Sequence, residues 1–444
     1  MNRYQSWGKT FKGKQTIQTI PWRNSPFPNL SSDQTYLPYG LGRSYGDSCL
    51  NDGGTLIDMR SLDHLITFDE QAAILECEAG VSLDEVLAYA IPRGYFLPVT
   101  PGTRYVTLGG AIANDVHGKN HHQVGTFGAH VVSFELLRSD GKKIVCSPEE
   151  NTEFYRATIG GLGLTGLILS CRILLKKISS AFIDRVSVRF PNLDGFFKIS
   201  EESDRDYEYA VAWIDCFAKG SRLGRGIYYL GNHAPAHQGD EKPLGLPERK
   251  PVLVPCDLPA ICLNTATMRL FNELYYRRIG AERSREKVHA FSFFYPLDNL
   301  GQWNRLYGKR GFYQYQCVIP RGQDREAFVE ILEGISRAGE GSFLGVLKVF
   351  GKKKSPGMLS FPREGTTLAL DFQNKSEKTL RLFKRLDEIV RKNNGAIYPA
   401  KDACMSPDLF FRAYPEWENF SQFIDPNCSS GFWRRISKEK RAAK

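Results

Sequence analysis

The chain has 444 residues, of which 42% are hydrophobic and 24% charged, so a mainly disordered protein is excluded and two domains fit its length. Its formal net charge of +10 favours anionic partners, without choosing between nucleic acid, phosphorylated metabolites and an anionic membrane surface. No Cys-x-x-Cys pair, apolar signal core or long apolar run is present, so we expect a cytoplasmic protein with reduced thiols that does not cross a membrane.

The first 179 residues consist of short β-like runs between glycine turns. Four of these runs are residues 55–59, 73–77, 131–137 and 167–175. Between the second and third, a helix is predicted from Ser82, because Ser82 and Glu85 form a capping-box pattern and Gly94 follows the last apolar position. We predict that residues 1–179 form the main part of the first domain.

From about residue 180 the pattern changes to strands that alternate with amphipathic helices. Residues 208–214 and 312–319 read as strands, and residues 326–339 and 376–394 carry apolar side chains at helical spacing. This order predicts an α+β domain, a sheet covered by helices, over residues 180–395. The proline-rich stretch 234–263 is expected to be a mobile loop. The basic stretch 434–444 is interpreted as a solvated terminus, with a nucleic-acid arm or a membrane-surface contact as alternatives.

Two glycine-rich segments in the first domain carry the strongest chemical signal. Closely spaced glycines let several backbone N–H groups point at one anion, such as a diphosphate, and let the backbone approach a planar cofactor. The first segment, residues 38–47, contains Gly40, Gly42, Arg43, Ser44, Tyr45 and Gly46. The second, residues 101–120, contains Pro101, Gly102, Thr103, Thr107, Gly109, Gly110, Asn114, His117, Gly118 and Lys119.

Two other patterns are rejected. Residues 161–166 match the dinucleotide fingerprint G-x-G-x-x-G, but a β-like run follows where the fingerprint requires a helix, so no Rossmann NAD site is expected. His117 and His121 have a metal-ligand spacing, but no carboxylate or cysteine accompanies them in a helical frame, and Gly118 and Gly125 indicate a loop. We therefore expect no metal site.

The glycine segments, together with residues 157–166, resemble the FAD domain of the vanillyl-alcohol oxidase superfamily. Within it the chain resembles the branch that oxidises polyprenylphosphoryl ribose, most specifically in residues 117–122 and the pair Tyr398 and Lys401. The resemblance continues through residues 212–213, 294–298, 303–305, 313–316, 347–351, 370–372 and 398–402. It implies an α+β, two-domain vanillyl-alcohol oxidase-like fold, with a PCMH-type FAD-binding domain, a substrate domain with an antiparallel sheet covered by helices, and a C-terminal segment, residues 396–444, that returns to the FAD domain.

The resemblance also implies how FAD is held. Many members tether FAD through a histidine before the serine of the first glycine loop, but Arg43 precedes Ser44 here, so we expect non-covalent FAD. The implied cofactor-binding residues are those of the two segments, apart from Lys119, with Gly166, Ile168 and Tyr398. The implied substrate-binding residues are Tyr45, Lys119, Trp213, Gln314, Gln316, Lys348, Asp371 and Lys401.

Oxidation of an alcohol by flavin needs a group that takes the hydroxyl proton and groups that meet the growing negative charge. Lys401 matches the essential lysine of the family, and Tyr398 and His117 are the other implied catalytic residues. An unperturbed lysine is a poor base at neutral pH, but burial or a cation such as Lys119 or Lys348 would lower its pKa. Lys401 is therefore either the base or a charged stabiliser, and the sequence leaves both open.

The leading hypothesis is oxidation of the ribose 2-hydroxyl of a polyprenylphosphoryl-β-D-ribose to a ketone, the first half of a 2-epimerisation that a short-chain reductase partner completes. The alternatives are an alditol or sugar-1,4-lactone oxidase that uses a soluble substrate and oxygen, and a flavin-free scaffold or nucleic-acid-binding protein. No nucleic-acid partner is expected under the leading hypothesis. Residues 351–354, Gly-Lys-Lys-Lys, leave room for a peripheral contact with the inner face of the cell membrane, with a solvated loop as the alternative.

Overall fold

A computed structural model describes residues 4–31, 33–237, 242–247, 251–259 and 263–441. Part of the proline-rich stretch 234–263, which the sequence predicts to be a mobile loop, lies outside these residues. Within them the chain forms twenty strands and twelve α-helices. The strands are β1 Thr16–Thr19, β2 Tyr36–Tyr39, β3 Thr55–Asp58, β4 Leu65–Asp69, β5 Ile74–Glu78, β6 Tyr95–Phe96, β7 Val131–Leu137, β8 Lys143–Cys146, β9 Leu167–Leu174, β10 Lys176–Lys177, β11 Phe182–Phe190, β12 Tyr209–Ile214, β13 Gly226–His233, β14 Val252–Leu253, β15 Arg283–His289, β16 Leu300–Gly301, β17 Phe312–Pro320, β18 Gly345–Phe350, β19 Gly365–Gln373 and β20 Ala396–Ile397. The helices are α1 Leu83–Ala90, α2 Leu108–Ala113, α3 His121–Val124, α4 Thr152–Thr158, α5 Leu193–Ser203, α6 Thr265–Arg277, α7 Ala290–Phe294, α8 Asp324–Ala338, α9 Glu377–Lys392, α10 Pro407–Ala413, α11 Trp417–Ser421 and α12 Gly431–Arg441.

The N-terminal part of the chain builds two larger sheets and a two-stranded one, in which β6 pairs with β10. Strands β1 and β2 both pair in parallel with β3, and β4, β5, β9, β7 and β8 form an antiparallel sheet in that order. The four predicted strands of this region are confirmed as β3, β5, β7 and β9. The predicted capping box is confirmed as well: Ser82 accepts a hydrogen bond from the Glu85 N–H, and the Glu85 carboxylate accepts one from the Ser82 N–H.

The rest of the chain builds an antiparallel sheet of eight strands, in the order β15-β11-β13-β12-β18-β19-β17-β20, and a small parallel pair of β14 and β16. Helices α5, α8 and α9 pack side by side on one face of it. Both predicted helices are confirmed as α8 and α9, within three residues of the expected ends. The sequence thus predicts a helix-covered antiparallel sheet, which the structure contains, while domain boundaries at residues 179 and 395 stay predictions.

Alternation along β17 decides which side chains face the helices and which face away. Tyr315 packs on Phe383 of α9, with ring centroids 5.1 Å apart, and its hydroxyl donates to Asp387 of the same helix at 2.9 Å. Because successive strand residues point to opposite faces, Gln314 and Gln316 lie on the face without these helices. That face forms one wall of the cavity described below.

After β20 the chain runs to the N-terminal sheets. The Tyr36 N–H donates to the Asn427 carbonyl at 2.8 Å. Arg435 lies in α12 and donates to Asp47 at 3.0 Å and to Asp402 at 2.7 Å. The expectation of a solvated terminus from residue 434 is therefore wrong for Arg435, because two carboxylates that are themselves buried hold its guanidinium.

Candidate active site

A cavity of about 1140 Å³ separates the two glycine segments from the uncovered face of the eight-stranded sheet. Ligand pockets usually measure roughly 300–1000 Å³, so this cavity has room for a large cofactor together with part of a substrate. The residues of the predicted site that line it are Gly40, Gly42, Arg43, Ser44, Tyr45, Pro101, Gly102, Thr103, Thr107, Gly109, Gly110, Asn114, His117, Gly118, Lys119, Gly166, Ile168, Trp213, Gln314, Gln316, Lys348, Tyr398 and Lys401.

Gly46 and Asp371 are the two members of the predicted site that do not line the cavity. A side chain on Gly46 would run into the carbonyl of Asp402, so this glycine is needed for the close approach of the C-terminal segment. Asp371 lies one layer behind the wall, where its carboxylate accepts a hydrogen bond from the Gln314 amide at 2.6 Å. Gly46 thus faces the C-terminal segment, and Asp371 reaches the cavity only through a neighbour.

The two glycine segments lie against each other. A Cβ on Gly40 would lie 2.5 Å from Oγ1 of Thr107, the residue that caps α2, so only glycine lets the first segment approach the second this closely. Gly42 has φ +61°, a left-handed conformation that glycine adopts without strain. Gly102 has no atom within 4 Å of the position of a Cβ, so the second segment leaves open space beside its backbone. These features fit a wall that a bulky cofactor can approach closely.

Arg43 supplies a cation to this wall. Its guanidinium lies 4.1 Å from the centre of the Trp7 ring, and its buried Nε has no hydrogen-bond partner in the described part of the chain. Burial lowers the pKa of Arg43, while the charge of Asp298 opposes this effect. A buried donor without a partner is costly. Arg43 is therefore suited to an anionic group such as a diphosphate.

His117 is held between Lys348 and Gln316. Lys348 Nζ lies 2.7 Å from Nδ1 of His117 and donates to the Gly118 carbonyl at 2.8 Å, and the Gln316 amide nitrogen lies 3.0 Å from Nε2. Neutral imidazole has one donor and one acceptor nitrogen, so with Gln316 donating to Nε2, Nδ1 carries the proton and donates to a neutral Lys348 amine. The pKa directions agree, because burial lowers the pKa of both His117 and Lys348 well below their usual values.

Lys401 and Tyr45 contact each other in the wall of the cavity. Nζ of Lys401 lies 3.9 Å from the centre of the Tyr45 ring, in a cation–π contact. Burial lowers the pKa of Lys401 to about 8, and the Asp371 carboxylate opposes that shift. Burial in turn raises the pKa of Asp371 to about 7, opposed by its bond from Gln314 and by the charge of Lys401.

The sequence offers two causes for a low pKa of Lys401, burial and a neighbouring cation. In the structure, burial lowers the pKa of Lys401. Burial also lowers the pKa of Lys348, and repulsion from the charges of Lys119 and Lys401 lowers it further. Lys119 donates to the Phe294 carbonyl at 3.0 Å, and burial lowers its pKa to about 7. Three lysines with lowered pKa values therefore converge on one cavity.

Tyr398 is placed by the second glycine segment. Its hydroxyl donates to the Asn114 carbonyl at 2.7 Å, and its ring stacks on Phe361. Burial raises its pKa well above the usual value, so it stays neutral. Its own carbonyl accepts a hydrogen bond from the Lys401 N–H at 2.9 Å, which fixes the turn that carries the lysine. The Tyr398 side chain is thus held against the second glycine segment, and its backbone holds the turn that carries Lys401.

Trp213 lines the cavity from β12 and donates through Nε1 to the Phe343 carbonyl at 2.9 Å. Its indole N–H is therefore engaged by the protein, and its ring faces the cavity. Several further wall residues were not predicted, among them Trp7, Thr367 and Arg278. None lies in a glycine segment or a recognisable motif, so only tertiary structure reveals them.

Comparison with known proteins also indicates an FAD-binding protein. A family model described as an FAD binding domain matches residues 30–147. The chain is 38% identical to decaprenylphosphoryl-beta-D-ribose oxidase of Mycolicibacterium smegmatis over 398 residues. This aligned stretch covers 87% of this chain and 85% of the relative. It is 30% identical over 372 residues to an uncharacterized protein in the mprA 5' region of Streptomyces coelicolor, 80% of this chain and 100% of the relative. It is also 26% identical over 157 residues to Delta(24)-sterol reductase of Homo sapiens, 34% of this chain and 30% of the relative.

The glycine wall, the cationic cavity and the matched domain define an FAD-dependent oxidoreductase. The length and identity of the first match place it more narrowly. The chain belongs to the decaprenylphosphoryl-beta-D-ribose oxidase family. No helix in the described part of the chain is long and apolar enough to cross a membrane.

Proposed function

We propose that the chain oxidises the 2-hydroxyl of a polyprenylphosphoryl-β-D-ribose to a ketone, with non-covalent FAD. The observation that carries the proposal is the convergence of Lys401, Lys348 and Lys119 on one cavity beside the glycine wall. The relative from Mycolicibacterium smegmatis bears a name that states this sugar. Part of the cavity is lined by apolar side chains that suit a prenyl chain, namely Phe271, Leu297, Leu300, Leu306, Phe343 and Leu344.

The residues present fit FAD. The glycine segments and Arg43 would hold its diphosphate, and the wall around Asn114, His117 and Tyr398 would hold its ring system. Bound FAD would accept the hydride that leaves the carbon of the alcohol. Both ring nitrogens of His117 are engaged by Lys348 and Gln316, and Arg43 precedes Ser44, which supports a cofactor without a covalent link.

Lys401 would handle the proton of the hydroxyl. With a pKa of about 8, a useful fraction of its amine is neutral near neutral pH and able to accept that proton. The protonated fraction would instead stabilise negative charge in the cavity. If Lys401 is the base, the rate rises as pH increases through about 8, and if it is a fixed charge, the rate falls as the ammonium form is lost over the same range.

Oxidation alone leaves a 2-keto sugar, so completing an epimerisation requires a reductase that returns hydride to the opposite face. We propose a separate short-chain reductase as the partner, and a cytoplasmic location that includes the inner face of the cell membrane. The net charge of +10 supports contact with anionic surfaces.

The test is anaerobic bleaching of the bound flavin by a polyprenylphosphoryl ribose, followed by visible absorption. The matched control is the 2-deoxy analogue, which keeps lipid, phosphate and ring but lacks the reacting hydroxyl. We expect bleaching with the first compound and none with the second. Anaerobic bleaching by free alditols or sugar lactones, with release of peroxide once oxygen is admitted, and no bleaching by the lipid-linked ribose, would replace the proposal with a soluble-substrate oxidase.

A further inference from the structure

Helix α6 presents an unusual apolar surface to solvent. Leu270 and Leu274 are 61% and 62% exposed, and Phe271 is 44% exposed. Leu274 lies four residues after Leu270 and three after Phe271, so the three side chains occupy neighbouring parts of the helix surface. Single exposed apolar residues are common in soluble proteins, but a contiguous patch marks an interaction surface.

The direction of this face relates it to the cavity. Successive residues of a helix are about 100° apart around its axis, so the residues of α6 fall into three neighbouring faces. Arg269 and Glu273 lie on one side and border a surface pocket, while Phe271, Tyr275 and Arg278 lie on the other side and line the cavity. Leu270 and Leu274 point outward between the two.

A second exposed apolar pair lies on a strand whose partner lines the cavity. Val252 and Leu253 of β14 are 70% and 60% exposed, and β14 pairs with β16, whose Leu300 lines the cavity. Phe271 of α6 also lines the cavity and is partly exposed, so the cavity opens to solvent beside α6. We call the four exposed residues Leu270, Leu274, Val252 and Leu253 the mouth patch.

Positive charge flanks the mouth patch. Lys219, Arg222 and Arg269 surround the surface pocket next to Leu270, and none of the three forms an ion pair in the part of the chain that the structure describes. The two acidic residues of that pocket are already paired with two arginines. Arg225 donates to Asp215 at 2.8 Å and to Glu273 at 2.5 Å, and Arg277 donates to Glu273 at 2.5 Å. The three exposed cations are thus left for an external anion.

We infer that the mouth patch and these three cations dock the protein on an anionic phospholipid surface with the cavity mouth facing the lipid. Apolar side chains that enter the headgroup region and basic side chains that meet anionic lipids are the two contributions that hold peripheral proteins on membranes. The inference rests on the proposed function, because a lipid-linked sugar would enter the cavity from that surface.

Vesicle sedimentation tests the inference with the flavin-loaded full chain. Wild-type protein is expected to sediment with vesicles of phosphatidylcholine and phosphatidylglycerol, less with phosphatidylcholine alone, and less at high salt. The double variant Leu270→Gln and Leu274→Gln is expected to lose about tenfold in partitioning without a change in charge. The double variant Val145→Gln and Leu174→Gln, two exposed apolar residues of the five-stranded sheet, is expected to partition like wild type.

A charge series provides the second arm. The triple variant Lys219→Gln, Arg222→Gln and Arg269→Gln is expected to lose the preference for phosphatidylglycerol, at a cost of about tenfold or more. The matched triple variant Lys352→Gln, Lys353→Gln and Lys354→Gln removes the same charge from another basic segment and is expected to keep it. Loss of binding in the second triple variant alone would move the membrane contact away from α6 and overturn the inference.

The outcome is separable from the substrate test. Flavin bleaching by the lipid-linked ribose in detergent micelles, without any vesicle binding, would overturn the docking surface and leave the proposed function intact. Vesicle binding that depends on Leu270 and Leu274, without bleaching, would support the docking surface and overturn the proposed function. A change of oligomeric state in the leucine variant, measured by light scattering, with unchanged vesicle binding, would assign the mouth patch to a second copy of the chain and overturn the lipid surface.

Discussion

Lys401 Nζ lies 3.9 Å from the centre of the Tyr45 ring, so the C-terminal segment contacts the first glycine segment through a cation–π pair. The aromatic face stabilises the ammonium form, and burial opposes it. Because burial prevails, the pKa of Lys401 is lowered to about 8. The same side chain can therefore be charged or neutral close to physiological pH, which is the basis of the first two predictions.

Replacement of Lys401 by Met should slow anaerobic flavin reduction by roughly 10²- to 10⁴-fold, the usual contribution of a general acid–base group. Lys401→Arg keeps the charge but has no neutral form, so it stays as slow as Lys401→Met if the lysine is the base. Recovery of most of the rate by arginine would assign Lys401 the electrostatic role. Lys384→Met, an exposed lysine of α9, is the control, and stopped-flow absorption is the measurement.

The pH profile of flavin reduction should report Lys401 and its neighbour Asp371. If Lys401 acts as the base, the rate rises as pH increases through about 8. Asp371→Asn removes the carboxylate that opposes the lowering of the lysine pKa, so the rise should move to lower pH. Asp387→Asn removes another carboxyl with a pKa raised to about 7, but on α9 beside Tyr315, and should leave the midpoint unchanged. An identical midpoint in all three proteins would contradict the coupling.

Arg43→Gln should weaken FAD binding by about tenfold or more, since a charge-assisted hydrogen bond contributes about 1.5–3 kcal/mol. Arg93→Gln is the control, because Arg93 lies over the ring of Tyr89 much as Arg43 lies over that of Trp7, but it is outside the cavity. The ratio of flavin to protein absorbance after gel filtration measures the effect. Acid precipitation of the wild type should release the yellow colour into the supernatant, and colour retained in the pellet would refute non-covalent binding.

Lys348→Met should change how stability depends on pH. Burial lowers the folded-state pKa of Lys348, so between that value and about 10.5 the unfolded chain binds more protons, and this lysine costs stability as pH falls. The melting temperature of the variant minus that of the wild type should therefore be more positive at about pH 7 than at about pH 10. Thermal unfolding in excess FAD measures the difference. A difference that does not vary with pH would mean that Lys348 is charged in the folded protein.

Sequence reasoning reached the parts of the site that lie in continuous segments. Glycine spacing identified two segments that line the cavity, and the motif around Tyr398 and Lys401 identified a lysine that lines it with them. It did not show that Gly46 lies against Asp402 and does not line the cavity, because no local pattern encodes that contact. It missed Trp7 and Thr367, which come to the cavity only through the pairing of distant strands and segments.

The C-terminal tail shows the same limit in a different way. The run of charges from residue 434 resembles a solvated terminus, because charge alone does not show which arginine finds a buried partner. Arg435 is paired with Asp47 and Asp402, contacts that bring together residues at opposite ends of the chain. Long-range pairing of this kind depends on the assembled fold.

That pairing has a consequence for the order in which the protein is made. Arg435 ties Asp47, in the first glycine segment, to Asp402, which directly follows Lys401. The glycine segments leave the ribosome long before Lys401 and Arg435 do, so the cavity stays open on one side throughout most of translation. Flavin capture is therefore expected to follow synthesis of the C-terminal helix, and nascent chains stalled before Tyr398 should remain colourless.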